Sequence, residues 1–200
     1  IANFRTYLPG GGARDNLFEA AINYRGLQVP LTRGTANLGG DKFRFLCHTA
    51  TIPSDQIGAI NLNYFGRTYK VPGDRKFDDT LTLTAYGDED YAIRDFIEAW
   101  MSAMNEHVAN VRTAGVRQSN YQTSIDVTVY SKDGNPVKIY TFTSCFPTNI
   151  AATALGWGTN DSIQNVEIQF AYAWWEARTT DRTSTSPMTV SVPSSALQVR

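Results

Sequence analysis

The chain of 200 residues has few of the side chains on which enzymes and metal-binding proteins depend. Its two histidines and two cysteines do not occur at the spacing of a metal-binding motif. His48 directly follows Cys47, and because neighbouring strand residues point to opposite faces, the two are poorly placed to form a catalytic pair. Nucleophile-elbow, Walker A and zinc-protease motifs are also missing. We therefore predict no enzyme, no metal and no cofactor.

A surplus of positive charge and a long apolar run are absent as well. The 18 Lys and Arg residues are balanced by 19 Asp and Glu residues, which gives a net charge of −1. A domain that binds nucleic acid through its phosphates is usually clearly basic, so stable DNA binding is not expected. No apolar run approaches the roughly 20 residues of a membrane span, so we expect no stable membrane insertion.

What the sequence does contain is a dense group of acids in residues 73–91, GDRKFDDTLTLTAYGDEDY. The spacing does not fit a calcium-binding loop, although a metal site or a pair of catalytic carboxyls stays open as an alternative. The ends of structural elements explain the acids better. We expect Asp88 to cap a helix whose first turn contains Glu89 and Asp90.

Alternating apolar and polar residues predict a mainly β protein. Single strands are expected at residues 17–24, 42–50, 79–86 and 163–176. A hairpin or a bulge is expected near Phe65-Gly66, and a hairpin is expected around Asp133-Gly134 that ends at Pro147. Helical spacing, with Trp100 as the main apolar anchor, predicts one α-helix from about 88 to 108.

These elements predict an antiparallel β-sandwich or half-barrel with the helix flanking one side. The glycine-rich residues 1–15 are expected to form an arm, residues 16–177 the domain, and residues 178–200 a Ser/Thr/Pro-rich extension with one strand candidate at 189–192. The polar segment 109–123 is expected to be a long loop. Trp174 and Trp175 are neighbours on one strand, so one must face outward, where a sugar, the extension or another subunit would cover it.

Several segments resemble, in order and spacing from about residue 16 to 176, the tail tube proteins of contractile-tailed (myovirus-type) bacteriophages. The most specific are the G-D-R-x-F-D-D run and the terminal aromatic-Trp-Glu. The matching segments are NLFEAAINYRG, FLCHTATIP, VPGDRKFDD, the DED-headed helix ending at FIEAW, CFPTNI and LGWGTNDSIQNVEIQFAYAWWE.

The resemblance implies a structural subunit that forms hexameric rings, each subunit giving strands to a shared inner β-barrel. The rings would stack into a tube inside a contractile sheath, and DNA would pass through without specific binding. The implied partners are further copies of the chain, the sheath protein, and the baseplate and tail terminator proteins. The implied location is the virion tail, after assembly in the host cytoplasm. A tailocin tube subunit or a baseplate tube initiator is a close alternative, and a carbohydrate-binding β-sandwich is a distant one.

Two groups of residues are candidates for these roles. The segments 70–79 and 109–123 are polar, long and poorly explained by the core of a monomer, so they are expected to contact other subunits. The candidate contacts are Lys70, Asp74, Arg75, Lys76, Phe77, Asp78, Asp79, Arg112, Arg117 and Trp175. A channel that does not retain DNA should be lined by uncharged or acidic side chains. The candidate lining residues are Asn61, Asn63, Thr80, Thr82 and Thr84.

Overall fold

The computed structural model describes residues 12–24, 27, 36–77, 80–112, 117–158 and 160–180. Within these residues the chain forms nine strands and three helices. In chain order they are β1 (Phe18–Ile22), α1 (Ala36–Leu46), β2 (Cys47–Thr51), β3 (Gln56–Tyr64), β4 (Arg67–Lys76), β5 (Leu81–Tyr86), α2 (Ala92–Met104), α3 (Gln118–Tyr121), β6 (Thr123–Tyr130), β7 (Pro136–Ile150), β8 (Asn165–Ala171) and β9 (Trp174–Thr179). Most of the predicted arm and extension, including the strand candidate at 189–192, lies outside the described residues.

Seven strands form one bent antiparallel sheet in the order β1-β6-β7-β8-β5-β2, with β9 also paired to β7. The long strand β7 takes part in the sheet on both sides of the bend. Its first part pairs with β6 and β9, whereas residues 146–150 pair with β8. Ser144, with a positive φ of 58°, lies where the partner changes. The predicted mainly β, antiparallel fold is confirmed, and within one chain the sheet does not close into a barrel.

For clarity, β1, β6, the first part of β7 and β9 are called the first sheet. Residues 146–150 of β7 together with β8, β5 and β2 are called the second sheet. The inward faces of both sheets and helix α2 enclose one hydrophobic core. Trp100 anchors α2 in that core: its ring lies 6.1 Å from the ring of Phe170 on β8, and its Nε1 donates a 2.8 Å hydrogen bond to the carbonyl of Tyr121.

Helix α2 is shorter than predicted. It begins at Ala92 rather than at Asp88, and it ends at Met104. The N-cap position is Tyr91, which has a positive φ of 52° and makes no capping hydrogen bond with its side chain. A turn from Asp88 to Tyr91 precedes the helix, closed by a 2.9 Å bond from the Tyr91 amide to the Asp88 carbonyl. The prediction of Asp88 as the cap was therefore wrong.

The strand predicted at residues 42–50 was wrong for its first half. Residues 42–46 end helix α1, and the strand begins only at Cys47. Phe43 and Phe45 suggested strand alternation, but in the helix Phe43 is fully buried, Leu46 packs partly against the core, and Phe45 is exposed. The fold therefore has a second long helix, which packs against α2 and β1. Tertiary packing overrode the local pattern at this point.

Two strand ends also differ from the prediction. The predicted strand 163–176 is two strands, because the chain changes partner around Tyr172 and Ala173. Strand β7 runs past Pro147 to Ile150 with an irregular register between Pro147 and Asn149. Proline is tolerated there because this part of β7 has a neighbour on one side only.

The predicted loop 109–123 contains the short helix α3 and the first residue of β6.

Candidate assembly interface

Strands β3 and β4 form a separate two-stranded sheet, here called the ribbon. Within the described residues its strands pair only with each other. Along the chain the ribbon lies between β2 and β5, which pair with each other. Phe65 and Gly66 form its turn with φ values of 45° and 76°. Two positive values are the geometry of a type I′ turn, so the hairpin predicted here is confirmed.

One face of the ribbon is apolar. Residues directly opposite each other on antiparallel strands share a face, and Ile60 pairs with Val71 while Leu62 pairs with Tyr69. No described part of the subunit covers this apolar face: Ile60 is 53% exposed, Leu62 50% and Tyr69 68%. A contiguous apolar surface of this kind usually marks an interaction site.

The other face of the ribbon is polar. Asn61 lies opposite Lys70, and Asn63 lies opposite Thr68, whose hydroxyl donates a 3.1 Å hydrogen bond to the Asn63 Oδ1. Asn61 and Asn63 were predicted to line the channel, whereas Lys70 was predicted to contact another subunit. Because Asn61 and Lys70 share one face, a channel lined by Asn61 would also receive a lysine from every subunit. The channel assignment of Asn61 and the contact assignment of Lys70 both stay predictions. Because the two residues share one face, that face cannot be given to one role on the basis of Asn61 without including Lys70.

The run GDRKFDD, several of whose residues were predicted to contact other subunits, begins within a strand. Gly73 to Lys76 belong to β4. The Arg75 guanidinium donates two 2.6 Å hydrogen bonds to both carboxylate oxygens of Asp55 in the same subunit. Asp74 and Lys76 are exposed, and Phe77 is partly buried against the core. The remaining candidates of the run, Asp78 and Asp79, lie outside the described residues.

The second sheet has an outward face of polar residues without a lysine or arginine. Leu81, Leu83 and Ala85 of β5 are buried, so Thr82 and Thr84 point away from the core. Cross-strand pairing extends these two positions into rows. The first row is Thr51, Thr82, Gln169 and Asn149, and the second is Thr49, Thr84 and Glu167. The four strand segments of this sheet, all of them described, contain no Lys or Arg. Thr80 is exposed just before β5.

His48 lies on the same outward face and uses both ring nitrogens. Its Nε2 is 3.2 Å from the Asn165 Oδ1, its Nδ1 is 2.9 Å from the Thr49 hydroxyl, and its ring lies 4.2 Å from that of Tyr86. Burial raises the pKa of the Cys47 thiol to about 11. That thiol is therefore protonated at neutral pH and is not an activated nucleophile.

The acids that precede α2 form ion pairs with helix α1. The Lys42 ammonium contacts the carboxylates of Asp88 and Asp90. The hydrogen bond from Lys42 lowers the pKa of Asp88, and the same contact raises the pKa of Lys42. In the part of the chain that the structure describes, no three His, Cys, Asp or Glu side chains are grouped closely enough to hold a metal ion.

The other predicted contact residues are spread over the surface. The Arg112 guanidinium lies 5.3 Å from the centre of the Tyr121 ring, and Arg117 is exposed where α3 begins. Trp175 is partly buried, with ring contacts of 5.9 Å to Tyr140 and 6.3 Å to Phe142, whereas Trp174 is the exposed neighbour. Whether these residues contact another subunit stays a prediction. The apolar ribbon face was missing from the predicted contacts, although the alternation of Ile60, Leu62 and Tyr64 indicated it.

The open sheet edges and the uncovered ribbon are typical of a β protein that completes its structure by assembling with other copies. The sequence model described as phage tail tube protein matches residues 13–178. The chain belongs to the phage tail tube protein family and is a tail tube protein of a contractile phage, a component of the virion tail.

Two relatives show how far the similarity extends. The tail tube protein gp19 of Enterobacteria phage T4 is 30% identical over 173 residues, which cover 86% of this chain and 96% of the relative. The tail tube protein gp19 of Enterobacteria phage T6 is also 30% identical over 173 residues, with the same coverage.

Solved structures share the fold at much lower identity. The sheath-tube complex of the extracellular contractile injection system PVC, in its extended state, gives a TM-score of 0.53 at 10% identity, covering 88% of this chain and 97% of that one. The sheath/tube terminator of the same system gives 0.54 at 12% identity, covering 84% and 97%. None of the helices described in this chain has the length and apolarity that a membrane crossing requires.

Proposed function

We propose that the protein assembles into hexameric rings, that the rings stack into a hollow tube inside a contractile sheath, and that DNA leaves through this tube. The observation that carries the proposal is the second sheet. In the described residues β2 pairs only with β5, and residues 146–150 pair only with β8, so both outer edges are free. A free edge offers unpaired backbone groups to a strand of another copy, and a closed ring removes such edges.

The size of a closed ring supports this proposal. Six copies of a four-stranded sheet make about 24 strands, which at ~4.8 Å spacing and ~40° tilt give a circumference of about 150 Å. The backbone diameter is then about 48 Å, and subtracting the side chains leaves a channel on the order of 35–40 Å. Such a channel is wide enough for a DNA duplex without close contact to its grooves.

The outward face of the second sheet suits the wall of such a channel. Its Thr, Asn and Gln rows and Glu167 offer no cation to the phosphates, so DNA gains nothing from releasing counterions there. This argument favours Thr82 and Thr84 as lining residues. It disfavours the polar ribbon face as lining, because Lys70 would add a positive charge from every subunit.

The ribbon supports the stacking of rings. Its apolar face is uncovered in one subunit and needs a neighbouring copy to bury it. The sheath, baseplate and terminator proteins are proposed partners of the assembled tube. Their support is the shared fold with tube and terminator proteins of a contractile injection system. The role is structural rather than enzymatic.

Electron microscopy of the purified full chain, with sedimentation over a concentration series, tests the assembly. We expect tubes with a central channel and six-fold end views. A chain that stays monomeric at every concentration, or that forms solid filaments, would contradict the proposal.

A lysine at Thr82 tests the assignment of the channel wall. Tubes of Thr82→Lys should retain short duplex DNA at about 50 mM salt and release most of it by about 200 mM, because each neutralised phosphate makes binding salt-dependent. The control is Asn135→Lys, which adds the same charge in the exposed turn between β6 and β7. Equal DNA retention by the two variants would mean that Thr82 does not face the channel.

A further inference from the structure

The pairing of β3 with β4 is irregular at a point where two glycines lie close together. Gly58 lies in an irregular step of β3, between the paired residues Ile57 and Ala59, and Gly73 follows Pro72 on the opposite strand. A Cβ atom on Gly73 would lie 3.2 Å from the Ile60 Cγ1 and 3.3 Å from the Gly58 carbonyl oxygen. The two strands therefore approach more closely here than side chains comfortably allow. This close approach of Gly58 and Gly73 is called the crossing.

The opposite glycine is equally restricted. A Cβ atom on Gly58 would lie 3.3 Å from the carbonyl oxygen of Asp74. An extra residue on one strand bends that strand and increases the local twist. A bulge therefore changes the direction of the strand segments that follow it. Here the part beyond the bulge is residues 59–72, which include the whole apolar face.

The base of the ribbon is held on the other side of this crossing. Asp55 lies in the segment between β2 and β3, and both of its carboxylate oxygens accept hydrogen bonds from Arg75 of β4. Both bonds start from the same nitrogen, Nη1, so the pair fixes the distance between Asp55 and Arg75 at this end of the ribbon. The bulge thus lies between the Asp55–Arg75 pair and a distal part that, within the described residues, pairs with no other strand.

We propose that the crossing of Gly58 and Gly73 is a positioning element: it sets the direction of residues 59–72, so that their apolar face points toward a neighbouring copy before assembly begins. The inference rests on the proposed function, because it assumes that this face is buried by another copy. A preset direction lowers the ordering cost of association, which is the general benefit of preorganisation.

The direct test measures the direction of the ribbon in the monomer. Spin labels at Phe65→Cys, at the ribbon tip, and at Lys132→Cys, in the β6–β7 turn, report the distance between ribbon and core; both native residues are exposed. Burial raises the pKa of the native thiols of Cys47 and Cys145 to about 11 and about 12, so at neutral pH the introduced cysteines react selectively. The distance is measured with and without Gly73→Ala.

The matched control is Gly158→Ala, the same change at a glycine whose Cβ would meet nothing within 4 Å. We expect Gly73→Ala to shift the label distance and, in the unlabelled chain, to raise the concentration needed for tubes about tenfold. The thermal midpoint of the monomer should stay unchanged, because the ribbon lies outside the core. Gly58→Ala, on the other strand of the crossing, should likewise shift the label distance and raise the concentration needed for tubes. Gly158→Ala should change neither the label distance nor that concentration.

An unchanged label distance in both ribbon variants would overturn the proposal. So would a shifted distance with tubes forming at the wild-type concentration. If the wild-type chain forms no tubes, the proposed function fails, while the label distances still decide whether the crossing sets the direction of the ribbon.

Discussion

Two hairpins of this protein follow the same local pattern and differ in the fate of their apolar faces. The β6–β7 hairpin buries Ile125, Val127 and Phe142 completely. The β3–β4 ribbon leaves Ile60 and Leu62 at least half exposed. Both have alternating residues and a tight turn that contains glycine. The difference lies in their neighbours, because β6–β7 lies between β1 and β9 and faces the core under α2, whereas the ribbon has no flanking strand among the described residues.

This difference indicates where each hairpin obtains its stability. Burial of apolar surface is favourable both within a folding chain and between associating subunits. For β6–β7 the covering surface belongs to the same subunit. For the ribbon we propose that the covering surface belongs to another copy. Three sets of substitutions test this difference between the hairpins, from the largest expected effect to the smallest.

The largest effect is expected from a charge in the centre of the apolar ribbon face. Leu62→Asp should abolish tubes in sedimentation and electron microscopy, because assembly would bury an unpaired carboxylate. The monomer should unfold at the wild-type temperature. The control is Asn63→Asp, the adjacent residue on the polar face, which should still form tubes. Tubes from both variants would show that the apolar face is not an interface.

The second prediction compares the truncation of one apolar residue to alanine in each hairpin. Phe142→Ala should lower the free energy of unfolding of the monomer by ~3–5 kcal/mol, because Phe142 is fully buried against Tyr172 and Trp175. Leu62→Ala should change it by less than ~0.5 kcal/mol. Urea titrations below the concentration of assembly measure both values. A large loss for Leu62→Ala would mean that the ribbon face is covered within its own subunit.

The smallest effect concerns the ion pair between helix α1 and the turn that precedes α2. Lys42 lowers the pKa of Asp88, so this pair stabilises the fold above the ordinary pKa of aspartate, and the contribution is lost as pH falls through the lowered pKa. Asp88→Asn should therefore lower the thermal midpoint slightly at pH 7 and hardly at all near pH 2. Glu89→Gln, at an exposed neighbour, is the control and should behave like wild type at both values. A pH-independent difference for Asp88→Asn would contradict the role of the pair.

Much of the local structure could be predicted because it depends on residues close together in the chain. The leucines and threonines of β5 alternate strictly, and the turns at Phe65-Gly66 and Asp133-Gly134 need only their own residues. The segments that resemble tail tube proteins also predicted the family correctly. Individual contact and lining residues could not be tested in the same way, since they depend on copies that a single chain does not contain.

The amino-acid sequence alone determined the β class, the hairpin turns, the central helix and the family. Only the tertiary structure decided that residues 42–46 end a helix, because the burial of Phe43 depends on a core built from distant segments. It also decided that Asp88 pairs with Lys42 rather than capping α2, and that Arg75 pairs with Asp55 inside one subunit. In the stretch from Gly73 to Tyr91, Asp88 and Asp90 therefore pair with a lysine of a distant helix that their sequence neighbours do not specify.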